Sequence, residues 1–242
     1  MAETAQSFHD LSIDERLQIV NRGTSYFSGQ LAHIDNEDFG EPTLLPDWDR
    51  FYLVAHVGYN ARALVNLVNW ASTGVETPMY SSPKARGEEI ARGATLPPGA
   101  LRNLHSHSVV QLNVAWRDCP REAWDAEVKT AQGRTVPMSE TLWMRTREVW
   151  LHAVDLDVNG RFSDIPHVVL ATLVPEIVGK WRKRELGDGL VLVNSETGER
   201  WAVTEGHEET EVTGTLTGLA RWASGRGGAG VNADAPEPPR WL

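Results

Sequence analysis

Glu148 and His152 stand four residues apart, so on a helix they project from one face a turn apart, the separation at which two side chains can share one ion. A third donor has to come from another element. His56 offers one, because it falls on the inward stripe of an earlier amphipathic segment, and bundle interiors use two imidazoles with one carboxylate to hold metals. Such a set suits zinc with an open position, and less well iron(II), manganese or nickel, since these donors discriminate weakly. Spacing alone leaves the commoner alternative in place: a Glu148–His152 salt bridge on an exposed helix face, with His56 a hydrogen-bonded core histidine. Arg145 and Asp155 continue the polar stripe, and either is a candidate to orient a ligand.

Other reactive side chains carry less. His105 and His107 lie two apart on a helix and face different ways, and His9, His33, His167 and His207 fall near polar segments. The single cysteine, Cys119, precedes Pro120 at a helix end, with no histidine or helix start nearby to lower its thiol pKa. Arg226 sits among glycines in Ser224-Gly225-Arg226-Gly227-Gly228, where a planar guanidinium can grip a carboxylate. A plain surface arginine on a flexible loop is the alternative. The ten tryptophans serve mainly to wedge helices together, with Trp48, Trp143 and Trp150 as candidates to line a pocket.

These residues need elements to hold them. Ser12-Ile13-Asp14-Glu15 is a capping box, and Leu17, Val20, Thr24, Phe27, Leu31 and Ile34 follow at helical spacing. Asp47 and Asp49 are candidate caps for a second helix with Leu53, His56, Asn60, Leu64, Leu67 and Ala71 on one face, ending at Gly74. Residues 73–98, rich in Pro, Gly and charge, read as a long ordered connection or lid with a short helix over Lys84 to Arg92. A third long helix carries Leu101, Leu104, Ser108, Leu112 and Ala115 and stops at Pro120; a hairpin turns at Ala131-Gln132-Gly133; a fourth starts near Ser139. After Gly160 come a helix from Pro166 to Arg184, three short strands and a helix near residues 216–224, with an extended Pro-rich tail. The fold class is α+β: a four-helix bundle over residues 1–160 and a smaller mixed unit over residues 161–242.

Composition narrows the partners. Lys plus Arg is 23 against 33 for Asp plus Glu, a net charge of −10, which disfavours nucleic acid and anionic membrane surfaces. No apolar run approaches the roughly 20 residues of a membrane span, and the N-terminus lacks a signal-peptide pattern, so a cytoplasmic monomer acting on small molecules is expected. One cysteine permits no intrachain disulfide and no cysteine-rich zinc site.

Leu53-Val54-Ala55-His56-Val57 with Asn60, the run Arg145 to Leu156, and Gly225-Arg226-Gly227 with the Pro236 to Leu242 tail together resemble the mycothiol-dependent maleylpyruvate isomerase family. The His and Glu-His elements are shared by the wider DinB-like metal-dependent thiol enzymes; the Thr130 to Pro137 segment and the C-terminal end narrow the likeness to the isomerases. The resemblance spans essentially the whole chain. It implies that His56, Glu148 and His152 bind a divalent metal, usually zinc, that Arg226 matches an arginine needed for activity, and that mycothiol is the thiol cofactor. It also implies cis-to-trans isomerisation of maleylpyruvate to fumarylpyruvate in gentisate breakdown. Rotation about a double bond requires it to become single for a time, which reversible thiolate addition achieves. Two other readings stay open: thiol transfer onto another electrophile, and a metal- or ligand-binding protein without turnover.

Overall fold

The structure, a computed structural model, describes residues 6–204 and 208–241. His207 and Leu242 lie outside the described residues. The chain divides into two compact units, Ile13–Gly160 and Met1–Ser12 with Arg161–Leu242.

The first unit holds five helices: α1 (Ile13–Ala32), α2 (Arg50–Thr73), α3 (Pro83–Gly93), α4 (Pro98–Asp118) and α5 (Glu140–Asp155), with a hairpin of β1 (Glu127–Lys129) and β2 (Thr135–Pro137) before α5. The expected stripe on α1 is buried at Val20, Thr24, Phe27 and Leu31. At α2 the Asp49 carboxylate accepts from the Tyr52 N–H at 2.8 Å, and Gly74 ends the helix with φ 72°, a left-handed conformation that costs glycine no Cβ clash. α1 packs against α5, and α2 against α3, α4 and α5. Close approach of α1 to α5 depends on Gly23, where a Cβ would come within 2.5 Å of the Trp150 indole. Because α2 and α5 are neighbours, residues far apart in sequence can meet between them.

Within the bundle, His105 has a structural role. Ser28 Oγ donates to the Thr24 carbonyl at 2.9 Å, so it must accept from His105 Nε2, also at 2.9 Å. Nδ1 has no partner among the described residues. Burial, helped by the Arg145 charge, lowers the ring's pKa to about 3. Between about 3 and the ordinary value near 6.5 the unfolded chain binds a proton that the folded chain refuses. This share of stability is complete above pH 6.5 and lost as pH falls towards 3, by about 1.4 kcal/mol per pH unit. His105→Leu is therefore expected to flatten the pH dependence of urea unfolding between pH 6 and 4 by about one proton; parallel curves for parent and variant would refute this role.

In the second unit, α6 (His167–Lys183) precedes β3 (Leu190–Asn194), β4 (Arg200–Ala202), β5 (Thr210–Gly214) and α7 (Leu216–Ala223). The sheet order is β4-β3-β5. β3 pairs antiparallel with β4, Val191 opposite Ala202, and parallel with β5, Leu190 beside Thr210. Trp181 and Trp222 meet edge to face at 5.9 Å in its core. Their indole N–H groups donate to the Pro239 and Pro236 carbonyls, which fastens the extended tail. One boundary differs from the continuous 1–160 bundle expected from sequence. Phe8 is fully buried and its N–H donates to Thr172 Oγ1 on α6 at 2.8 Å, so the first described residues belong with the second unit.

Candidate metal centre

His56 is presented by the second turn of α2, Glu148 and His152 by successive turns of α5. Glu148 Oε2 lies 2.8 Å from His56 Nε2 and 3.2 Å from His152 Nε2. The three residues each offer a ligand atom within 4.8 Å of the others, the one group of this kind among the described residues. Their side chains are only 6%, 20% and 12% exposed, so the pair on α5 is no solvated salt bridge. Asp155, fully buried, accepts at Oδ2 from His152 Nδ1 at 2.8 Å. A carboxylate behind the distal nitrogen fixes ring orientation and turns the Nε2 lone pair towards the ion position.

The charges follow from this geometry. Burial opposes ionisation of Glu148, but the two imidazoles outweigh it and hold the carboxyl well below the usual carboxylate range. Burial also lowers the pKa of His56, with Glu148 pulling the other way. At His152 burial works downward, yet hydrogen bonds to Asp155 and Glu148 raise the ring to about 9. A divalent cation would fit this donor set, two imidazole nitrogens and a carboxylate oxygen within 4.8 Å of one another.

Of the residues singled out beside the triad, Asp155 supports a ligand and Arg145 does not do so in the same way. Arg145 is 1% exposed and donates through Nη1 to the Val57 carbonyl and Asn60 Oδ1, tying α5 to α2. Trp48 walls the centre, its ring 5.2 Å from that of His56 and 6.5 Å from that of His152. Trp150 instead stacks on Tyr26, and Trp143 is buried in the core. His9, His33, His107 and His167 are exposed. Cys119 caps α4, its Sγ 3.3 Å from the Pro120 carbonyl, and burial pushes the thiol pKa up.

Arg226 belongs to the second unit. The alternative of a plain surface arginine on a flexible loop does not hold there: the side chain is 9% exposed and its Nη1 donates to the Ser224 carbonyl at 2.5 Å. The Trp241 indole donates to the same oxygen, and Arg221 Nε donates to the Arg226 carbonyl. Chain-terminal packing, invisible to local composition, closes the loop.

Two residues escaped sequence reasoning. Arg86 on α3 places Nη2 3.2 Å from His56 Nδ1. Its guanidinium lies 5.8 Å from the Tyr80 ring centroid. Both come from the connection read as a lid with a short helix over Lys84 to Arg92, a reading that singled out neither residue.

The family model for the mycothiol maleylpyruvate isomerase N-terminal domain matches residues 20–157. Among solved structures, the chain is similar to a mycothiol-dependent maleylpyruvate isomerase at 55% identity and a TM-score of 0.96, covering 98% of this chain and 100% of that one. A second structure, of a mutant of such an isomerase with a histidine replaced by alanine, matches with the same identity, TM-score and coverage. Among curated proteins there is no significant match.

Proposed function

This chain belongs to the mycothiol maleylpyruvate isomerase family, and on that premise we propose that it converts maleylpyruvate to fumarylpyruvate with mycothiol as cofactor. The observation that carries the reading is the extent of the likeness: 55% identity runs over 98% of the chain, through both units. A thiol transferase built on the bundle alone need not carry the second unit. Binding without turnover is best served by a closed ligand sphere, whereas the group here has three donors.

His56, Glu148 and His152 are the residues we assign to a divalent metal, zinc by donor type. When bound, metal and thiol together supply a thiolate held deprotonated near neutral pH, whose reversible addition leaves the alkene a rotatable single bond. The chain's own contribution is to hold and shield. Asp155 keeps His152 in its ligating orientation, and Trp48 covers one side of the triad with an apolar face that keeps water from the ligands. Negative charge gathering on the substrate's keto oxygen would be stabilised by a cation placed beside it. We assign Arg226 to the substrate, on its enolate oxygen or on a carboxylate. No helix among the described residues is long and apolar enough to cross a membrane.

The test is conversion of maleylpyruvate by zinc-loaded protein with mycothiol, followed by product chromatography; a protein that binds both cofactors and leaves the cis isomer unchanged would sink the reading. Arg226→Lys keeps the charge and loses the fork, and is expected to lower kcat/KM on the order of 10²-fold with metal content unchanged. A parallel fall in kcat marks a transition-state role, and a rise in KM alone marks substrate binding. Parental kcat and KM would remove Arg226 from the chemistry.

A further inference from the structure

Asn66 on α2 and Glu89 and Arg92 on α3 border a recess of about 310 Å³, with Met79, Tyr80 and Ser81 of the connection in its wall. That is the lower end of ligand-pocket sizes, roughly 300 Å³ upward. The frame is fixed. Asn66 Nδ2 donates to the Pro78 and Met79 carbonyls at 3.2 and 3.4 Å, which ties the connection to α2, and Ser82 Oγ accepts from the Ala85 N–H at 3.0 Å to cap α3. The polar groups of the lining, by contrast, are unspent. Glu89 and Arg92 stand three apart, a spacing at which helix neighbours can pair, yet neither side chain makes an ion pair or hydrogen bond among the described residues. Asn66 Oδ1 and the Ser81 hydroxyl are likewise without a partner among them. One recess thus gathers a two-pronged donor, a carboxylate, an amide oxygen and a hydroxyl beside an aromatic ring. With its two charges opposed, this set suits the adjacent hydroxyls of a neutral polyol better than an ion. The Tyr80 wall also leads to the metal centre. Its ring centroid lies 5.8 Å from the Arg86 guanidinium, whose Nη2 is 3.2 Å from His56 Nδ1, so the ring is within about 10 Å of the histidine.

We propose that this recess binds the sugar end of mycothiol, its glucosamine and inositol rings, while the thiol reaches the candidate metal centre. That the ligand is mycothiol rests on the isomerase reading; that the recess takes an uncharged polyol rests on its lining. The reach agrees. Five bonds of the cysteinyl arm separate the sulfur from the glucosamine ring, about 6 Å when extended, and each ring adds about 5 Å. A sulfur beside His56, Glu148 and His152 therefore carries its two rings as far as Tyr80 and beyond. There the Arg92 fork spans two neighbouring hydroxyls, Glu89 accepts from others, and the Tyr80 ring covers a C–H face of the sugar. A recess of about 340 Å³ beside Trp48 is less suited: Pro42, Leu45, Pro46 and Trp48 make its walls largely apolar, and its charged groups, Asp47 and Asp49, are both acidic.

Calorimetry on zinc-loaded protein tests this with two probes: mycothiol, and N-acetylcysteine, which carries the same thiol arm without the sugars. The parent is expected to bind mycothiol about 10- to 100-fold more tightly than N-acetylcysteine. The double variant Glu89→Gln with Arg92→Met is expected to lose about tenfold or more of that advantage, with its zinc content and its affinity for N-acetylcysteine parental. A merely structural role of α3 would weaken both probes together. Equal affinity of the parent for the two probes, an undiminished advantage in the double variant, or an equal loss for both probes overturns the proposal. Arg92 is exposed and Glu89 half-buried. If the double variant does not fold, Arg92→Met alone decides by the same ratio of affinities. A parent that binds mycothiol with the expected advantage and leaves maleylpyruvate unchanged strikes the isomerase reading and spares the recess. A parent that isomerises maleylpyruvate with mycothiol but binds both probes equally strikes the recess and spares that reading.

Discussion

His152→Ala is expected to leave the purified protein with little metal and to cut turnover by about three to four orders of magnitude, the equivalent of several kcal/mol of lost electrostatic stabilisation. The variant deletes a nitrogen 3.2 Å from Glu148 Oε2 and leaves Asp155 buried without its imidazole partner. The two donors that remain cannot hold an ion as three do. Asp155→Asn keeps all three ligands and loses only the support behind His152, so a milder loss in zinc affinity, roughly 10- to 100-fold, is expected. The parent should also show its proton inventory. With the His152 pKa raised to about 9, the ring is protonated at neutral pH and an incoming cation must displace that proton. Apparent zinc affinity should therefore climb about tenfold per pH unit up to about pH 9 and level off above it. Elemental analysis and competitive zinc titration check both statements. Full metal occupancy in His152→Ala would remove His152 from the centre.

How far these residues could be read from the chain depends on the range of the signal. Asp49 and Gly74 delimit α2 because capping is settled within a few residues, and the Glu148–His152 spacing needs only a helix to become a shared face. The hairpin at residues 127–137 and the succession of elements after Gly160 are likewise local patterns. What brings His56 onto Glu148 is α2 lying beside α5, a matter of packing; the inward stripe gave the facing side of His56 without giving its neighbour. Arg86 had no signal at all, since a connection rich in Pro and Gly shows neither its docking onto α2 nor which arginine lands on the histidine. The loop that carries Arg226 misleads for the opposite reason. Glycines on either side suggest an open loop, but Trp241, fifteen residues on, returns to share the Ser224 carbonyl with the arginine and closes it. The first described residues followed the same logic, Phe8 finding its apolar environment on α6, far along the sequence.

Turnover should vanish to the uncatalysed background when mycothiol is withheld from zinc-loaded protein, and Cys119→Ser should stay within a few-fold of the parent when the thiol is supplied. The chain has one cysteine, so any nucleophilic sulfur of its own must be that one. Its environment is wrong for the task. Burial raises the thiol pKa, the proton is directed at the Pro120 carbonyl, and the residue caps the C-terminal end of α4, where the helix dipole disfavours a thiolate. The fraction ionised at neutral pH is therefore small, and a weakly ionised thiol adds slowly to an alkene. An external thiol would escape each of these penalties if a cation were held by the proposed donors His56, Glu148 and His152, since such a cation would stabilise the sulfur anion. Single-turnover assays with and without mycothiol, on parent and Cys119→Ser, separate the two sources of sulfur. Undiminished isomerisation in the thiol-free parent, lost in a folded and zinc-loaded Cys119→Ser protein, would make the nucleophile internal and the assignment of the thiol to mycothiol untenable.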